Sequence, residues 1–188
     1  MYELMDSPAI FLDRDGVINH NYGYVYKQEN FDFIEGIFDI AHHAHKLKYK
    51  LIVITNQAGI GRGYYTEEQF HHLTAWMCDE FSAVGSPIDH VYYSPYHPAA
   101  GIGKYLKDDY SRKPNPGMIL QAQKNFSIDL GSSILIGDNV SDIQAGIAAG
   151  VGTNLLFSEE RPIELDGIKY ELISTLQEAI PYLMQDIK

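Results

Sequence analysis

Five short apolar runs recur along this chain, each followed by a polar or glycine-bearing turn and then a helix-period stretch. That alternation constrains the fold more than any other feature. The runs are Ala9–Leu12, Leu51–Ile54, Ile88–Tyr93, Ile134–Ile136 and Thr153–Phe157. Strands with one wet face alternate apolar and polar residues, whereas unbroken apolar runs suit a parallel sheet buried on both faces. Between the first two runs, Ile37, Ile40, Ala41, Ala44 and Leu47 fall on one stripe of a helix. Thr66-Glu67-Glu68-Gln69 is a capping box that opens a helix through about Val84. Asn115-Pro116 opens another, to about Phe126, and helical patterns cover Ser141–Ala149 and Ile173–Leu183. The expectation is one domain over residues 1–188, an α/β fold with a doubly wound, three-layer, Rossmann-like parallel sheet. In such sheets ligands bind beyond the carboxyl ends of the strands. The irregular stretch at about 94–113, rich in Pro, Gly and Tyr, is too long for a routine connection and is expected to face a substrate.

Charge narrows the partners. Fourteen basic against 25 acidic residues leave a net charge of −11 and a pI near 5.0. Such a surface repels nucleic-acid backbones and anionic membranes, so neither is expected as a partner. A small anionic substrate is admissible only where a few basic side chains converge. The single cysteine, Cys78, excludes an internal disulfide, and its place beside Trp76, Met77 and Phe81 in a helix marks it as packing. Residues Met1 to Asp6 lack the basic flank and apolar run of a signal peptide. No stretch approaches the roughly 20 apolar residues that span a bilayer. A cytoplasmic monomer is expected.

Four polar signatures follow the predicted strands. The first is Asp13-Arg14-Asp15-Gly16. Carboxylates at i and i+2 of an extended chain point the same way, and Gly16 permits the turn that exposes them. They repel unless one is protonated or a cation intervenes, and Mg²⁺ suits oxygen ligands shared with phosphate. The second, Thr55-Asn56-Gln57, offers hydroxyl and amide donors to anionic oxygens. The third, Arg112-Lys113-Pro114, places two cations before a helix. The fourth is Gly137-Asp138-Asn139-Val140-Ser141-Asp142, where helix capping by Asp138 or Asp142 is the ordinary explanation. Each is commonplace alone. In this order, at one sheet edge, the four are not.

The combination Asp13-x-Asp15-Gly16, Thr55, Lys113 and Gly137-Asp138-x-x-x-Asp142 resembles the haloacid dehalogenase superfamily over nearly the whole chain. The longer segments Phe11 to Asn19, Gly23 to Val25, Thr55 to Ile60, Arg62-Gly63 and Arg112 to Met118 resemble its D-glycero-D-manno-heptose-1,7-bisphosphate phosphatases. Histidinol-phosphate phosphatases share much of this pattern. The resemblance implies a haloacid dehalogenase-like domain without a large cap. It implies catalysis by Asp13 as nucleophile and Asp15 as acid and base, with Thr55 and Lys113 on the transferring oxygens. It implies Mg²⁺ held by the Asp13 and Asp138 carboxylates and the main-chain carbonyl of Asp15, with Asp142 orienting Lys113 or the metal's waters. Substrate contacts are expected from Arg14, Asn21, Tyr22, Gly23, Tyr24, Asn56, Gln57, Arg112 and Asn139, the ligand being a sugar phosphate. The alternatives are a histidinol-phosphate or other small-metabolite phosphatase, and a sugar-phosphate-binding module without turnover.

The sequence departs from that family at one place. Many relatives carry a zinc site in the loop before the Arg-Lys-Pro motif, and its four ligand positions fall here on Ser94, Tyr96, Asp109 and Ser111. Hydroxyls are poor zinc ligands, so structural zinc is not expected, and Tyr93, Tyr96, Tyr105, Tyr110, Pro95 and Pro98 are expected to pack the loop. The eight histidines read mainly as solvated, with His97 the one near that loop. Gly59-Ile60-Gly61-Arg62-Gly63 lacks the spacing of a dinucleotide fingerprint.

Overall fold

The computed structural model describes residues 6–184. The leader reading of Met1 to Met5 therefore lies outside the described residues. Six strands form one parallel sheet in the order β3-β2-β1-β4-β5-β6. They are β1 (Ala9–Leu12), β2 (Lys50–Asn56), β3 (His90–Ser94), β4 (Ile134–Gly137), β5 (Thr153–Phe157) and β6 (Glu171–Ile173). The helices are α1 (Ile37–Lys46), α2 (Ala58–Gly61), α3 (Glu67–Ala83), α4 (Gly117–Phe126), α5 (Val140–Ala149) and α6 (Ile180–Leu183).

The unbroken apolar runs are explained by two cores. Ile10, Leu12, Leu51, Val53, Ile134 and Ile136 face one side, against Ile37 and Ile40 of α1 and Met77 and Phe81 of α3. Their neighbours Ala9, Phe11, Ile52, Ile54 and Leu135 face the other, against Met118, Ile119 and Ala122 of α4 and Ile143 of α5. Each buried aliphatic or aromatic side chain stabilises by about 1.5–3 kcal/mol. The capping box holds: Thr66 Oγ1 accepts from the Gln69 N–H, and Gln69 Oε1 accepts from the Thr66 N–H.

Two expectations change at the C-terminal end. β6 is a sixth strand that the sequence reading lacks. The Ile173–Leu183 pattern is no single helix: Ile173 ends β6, a 3₁₀ turn covers Leu176–Ala179, and only Ile180–Leu183 is α-helical. Ser174 and Thr175 break the run, with Glu178 accepting from the Ser174 N–H and Thr175 hydroxyl. Cys78 packs against the first core, and burial pushes its thiol above the ordinary range. Among the described residues no helix is long and apolar enough to cross a membrane.

The order places β1 and β4 side by side where the winding reverses. A crevice opens at such a switch point, outside the carboxyl ends of the strands. The Asp13 N–H continues the ladder to Ile136 O at 3.1 Å, so the first acidic residue sits at the mouth of that crevice.

Candidate active site

A cleft of about 560 Å³ lies at this edge, within the size range of small-molecule sites. All four signatures reach it: Asp13 and Asp15 after β1, Thr55 to Gln57 at the end of β2, Arg112 and Lys113 before α4, and Asp138, Asn139 and Asp142 around the start of α5.

Gly16 makes the first turn possible. Its φ is +98°, a left-handed conformation that favours glycine, and a Cβ there would run into the Asp138 carboxylate. The missing side chain is therefore what lets the two acidic turns meet. Carboxylate oxygens of Asp13, Asp138 and Asp142 lie within 4.8 Å of one another. Lys113, 3% exposed, stands among them. Its ammonium is 2.8 Å from Asp13 Oδ1 and 2.6 Å from Asp142 Oδ1, and donates to Ile54 O at 2.9 Å. Burial would drive a lone lysine towards neutrality, but Asp13 and Asp142 overcome it and hold Lys113 above its ordinary value.

The acids respond in the opposite sense. Burial pushes Asp13 up to about 8; Lys113 opposes it, and Asp142 and Asp138 add to it. Burial and then Asp142 push Asp138 up to about 6. Raised carboxyls crowded at one point show a cluster short of positive charge, as expected of a site for a hard cation. Asp13 and Asp138 are the carboxylates that fit such an ion. Asp142 is already engaged: Oδ1 pairs with Lys113, and Oδ2 accepts the Asn139 N–H at 3.0 Å. Capping of α5 falls to a box formed by Asn139, whose Oδ1 accepts from Ser141 N, and Asp142, and not to Asp138.

Several expected substrate contacts are corrected. Arg14 is 1% exposed and turns away from the cleft; its Nη2 donates to both Asp15 oxygens at 2.8 and 2.9 Å and to Val25 O at 2.6 Å. Tyr22, 61% exposed, stands outside the cleft and donates to Asp32 Oδ2, although Asn21, Gly23 and Tyr24 line it. Gln57 reaches the cleft wall with no polar atom to spare. Its Nε2 donates to Asp15 Oδ2 at 3.0 Å and Thr55 Oγ1 at 2.8 Å, while Oε1 accepts from Tyr65. Asn56 clamps the main chain of Lys113, donating to its carbonyl at 3.0 Å and accepting from its N–H at 3.1 Å.

Other cleft residues were missed: Arg62 after α2, Tyr65, and His97 in the long loop. Arg62-Gly63 was visible only as part of the family pattern, His97 only as a lone histidine of the long loop, and nothing local marked Tyr65. The loop's zinc-equivalent positions are joined by hydrogen bonds. Ser111 Oγ bonds to Ser94 Oγ at 3.0 Å and donates to Asp109 Oδ1 at 2.7 Å. The Lys107 ammonium sits 2.6 Å from Asp109 Oδ2 and 5.2 Å from the centre of the Tyr96 ring. Burial would raise Asp109, but Lys107 and Ser111 win and hold it at about 2. Tyr105 anchors the loop on Glu67 at 2.7 Å, whereas Tyr110 is 61% exposed and does not pack as expected.

An acid pair, a buried lysine and a second acidic turn at the carboxyl edge of a parallel sheet define a haloacid dehalogenase-type hydrolase. Comparison with known proteins agrees. The HAD-hydrolase-like family matches residues 110–165. A D-glycero-alpha-D-manno-heptose-1,7-bisphosphate 7-phosphatase of Burkholderia mallei is 51% identical over 95% of this chain and 95% of its own. A HAD-like phosphatase from Mesorhizobium loti superposes with a TM-score of 0.84 at 31% identity, covering 95% of this chain and 86% of that one. The D,D-heptose 1,7-bisphosphate phosphatase of B. bronchiseptica, complexed with magnesium and phosphate, shares the fold at a TM-score of 0.78 and 22% identity, over 95% of this chain and 98% of that one. The chain belongs to the D-glycero-D-manno-heptose-1,7-bisphosphate 7-phosphatase family.

Proposed function

We propose that residues 1–188 form one phosphatase domain that removes the 7-phosphate from D-glycero-D-manno-heptose 1,7-bisphosphate with Mg²⁺. The name of the Burkholderia relative supports the substrate, and the magnesium and phosphate in the Bordetella structure support the metal.

The observation that carries this reading is a second anion cradle in the same cleft as the acid pair. The Ala99 and Ala100 N–H groups both point at His97 Nδ1, at 3.1 and 3.0 Å, so the ring hydrogen belongs on Nε2. Nε2 faces Arg62 Nη2 at 3.0 Å, and a guanidinium nitrogen only donates. Two donors thus confront each other. Burial, then Arg112 and Arg62, push His97 below its ordinary value. Burial and Arg62 also lower Arg112. Among the described residues neither arginine pairs with a carboxylate. An oxyanion set here would accept from Arg62 and the imidazole together. A bisphosphate supplies it, whereas histidinol phosphate presents an ammonium to two guanidinium groups.

Asp13 attacks phosphorus through one carboxylate oxygen; the bond to the sugar oxygen breaks, and an aspartyl-phosphate forms. Asp15 gives its proton to the departing sugar oxygen. It then takes one from the water that attacks the acyl phosphate, which releases inorganic phosphate and restores Asp13. Held by Asp13 and Asp138, Mg²⁺ would neutralise charge on the transferring oxygens. Lys113 opposes the burial that raises Asp13, and Thr55 offers its hydroxyl to the same oxygens.

The test is kcat/KM for both anomers of the bisphosphate, the heptose 7-monophosphate and histidinol phosphate. The bisphosphates should lead. Arg62→Ala should raise KM for them by about 10–100-fold, the worth of a hydrogen bond to a charged group, and leave the monophosphate unaffected. Equal use of histidinol phosphate would transfer the assignment to the neighbouring activity. Binding without phosphate release would make the chain a sugar-phosphate-binding module.

A further inference from the structure

We propose that Tyr65 is a positioning residue for phosphoryl transfer, acting through the Gln57 side chain on Thr55 and Asp15. The proposal rests on the reading of Asp13 and Asp15 as the reacting pair.

The Gln57 amide has one accepting end and two N–H groups, and all are used. Tyr65 donates its hydroxyl to Oε1 at 2.5 Å. One N–H reaches Asp15 Oδ2 at 3.0 Å and the other Thr55 Oγ1 at 2.8 Å. A flipped amide would set its oxygen against the Asp15 carboxylate and forfeit the phenolic proton. Tyr65 favours the observed orientation as long as it keeps that proton. Burial, with Asp15 nearby, pushes the phenol up to about 12, so it remains a donor at any working pH.

The orientation has two consequences at the reacting centre. Thr55 Oγ1 already accepts from Gln57, so its own hydrogen is left to point elsewhere, and Thr55 lies on the cleft wall. That is a donor arranged before the substrate arrives, the condition under which such donors contribute most to rate. Asp15 is held from two sides, by Gln57 on Oδ2 and by Arg14 on both oxygens, so the group that moves the proton keeps one place.

Core packing does not account for the hydroxyl. The ring stacks on Tyr26 at 5.1 Å and 9°, and Gly59 lacks the Cβ that would strike it. A phenylalanine ring would satisfy both contacts. The side chain is 4% exposed, and its buried oxygen bonds to Gln57.

Tyr65→Phe removes that oxygen alone. Turnover is measured with Mg²⁺ on the heptose bisphosphate and on p-nitrophenyl phosphate, so that a wrong substrate silences only the first arm. The expected result is a fall in kcat of about tenfold on both substrates with KM within twofold, and a far-ultraviolet spectrum like that of the wild type. Gln57→Leu should cost about 100-fold. Adding Tyr65→Phe to it should cost nothing more, because the proposed action of Tyr65 runs through Gln57. Gln57→Glu still accepts from Tyr65 but has no N–H for Thr55 or Asp15, so it should match Gln57→Leu. The proposal is overturned if Tyr65→Phe keeps kcat within twofold, if only KM changes, or if the two losses multiply. A wild-type protein inactive on both substrates overturns the reading beneath it as well.

Discussion

Replacing Lys113 by methionine tests how far one buried cation offsets the burial of the attacking carboxylate. Its ammonium hydrogens are directed at Asp13, Asp142 and Ile54 O, so the lysine acts on phosphate mainly through the carboxylates it neutralises. Methionine keeps an apolar stem of similar length and deletes the charge. Removing one partner of a buried ion pair costs about 3–5 kcal/mol, because the other charge is stranded. That cost must depend on pH. A carboxyl whose pKa is raised by folding binds its proton better in the folded state, so its contribution is fullest at low pH and is lost as pH climbs through the folded value. Asp13 is raised to about 8 even with Lys113 opposing the shift, and Asp138 to about 6. Without the lysine the push is unopposed. Near pH 5 these carboxyls carry protons and the variant loses little; near pH 8 they must either ionise beside one another or hold protons that the unfolded chain has released. Urea unfolding in EDTA should therefore show a deficit of about 3–5 kcal/mol at pH 8 that shrinks by more than half at pH 5. With Mg²⁺ near pH 7.5, kcat should fall by about 10²–10³, as when one charge-stabilising donor is removed. A deficit equal at both pH values, or a variant that keeps a third of wild-type kcat, would refute the reasoning.

Gly16→Ala should force the Asp138 carboxylate aside and strain a backbone at φ +98°, so the Mg²⁺ concentration for half-maximal activity should rise at least about tenfold. An unchanged metal requirement would remove Asp138 from the ligand set. Because Asp13 holds a proton below about pH 8, Mg²⁺ must displace it, and calorimetry should show affinity falling about tenfold per pH unit from 8 to 6. A flat profile would count against Asp13 as a ligand. The loop tied by Ser94, Ser111, Asp109 and Lys107 should melt alike with and without a zinc chelator in excess Mg²⁺, while Lys107→Met should lower kcat/KM several-fold. Stoichiometric zinc by elemental analysis, with a melt that collapses on its removal, would show the loop to be metal-built.

The fold was legible where burial on both faces left a pattern no other element shares. β1 and β4 are apolar throughout, β2 and β5 carry the apolar runs Leu51–Ile54 and Leu155–Phe157, and the stripe of α1 and the capping box of α3 mark their helices directly. β6 was hidden because an edge strand of three residues, Glu171–Ile173, has no run to show. Its last residue also fits the apolar spacing of Leu176, Ile180 and Leu183, which continued the pattern into a false helix. At the site, the acid pair could be read because residues i and i+2 of an extended chain share a side. The same geometry should have excluded Arg14. Between Asp13 and Asp15 it must face away, and its guanidinium returns only as far as Asp15. The roles of Gln57, Tyr65, Arg62 and His97 were not legible because they lie in partners remote in sequence: Asp15 is 42 residues from Gln57, and His97 is 35 from Arg62.

A chain of net charge −11 whose proposed substrate is a sugar with two phosphates must solve its electrostatics locally. Screening confines surface charges to about 10 Å at ordinary ionic strength, so the acidic exterior costs the substrate little once it is inside. Within the cleft the two ends solve the problem differently. At the reacting end, three carboxylates surround one lysine, and the deficit of positive charge leaves a place for a cation that arrives with the phosphate. At the other end, Arg62 and His97 Nε2 set two donors against each other and Arg112 gives one N–H to Tyr96 O, so an anion would complete the group. A single phosphate could not satisfy both, because one end is short of positive charge and the other of negative charge. On the proposed reading, those opposite deficits in one cleft, more than either alone, favour a ligand with a phosphate at each end.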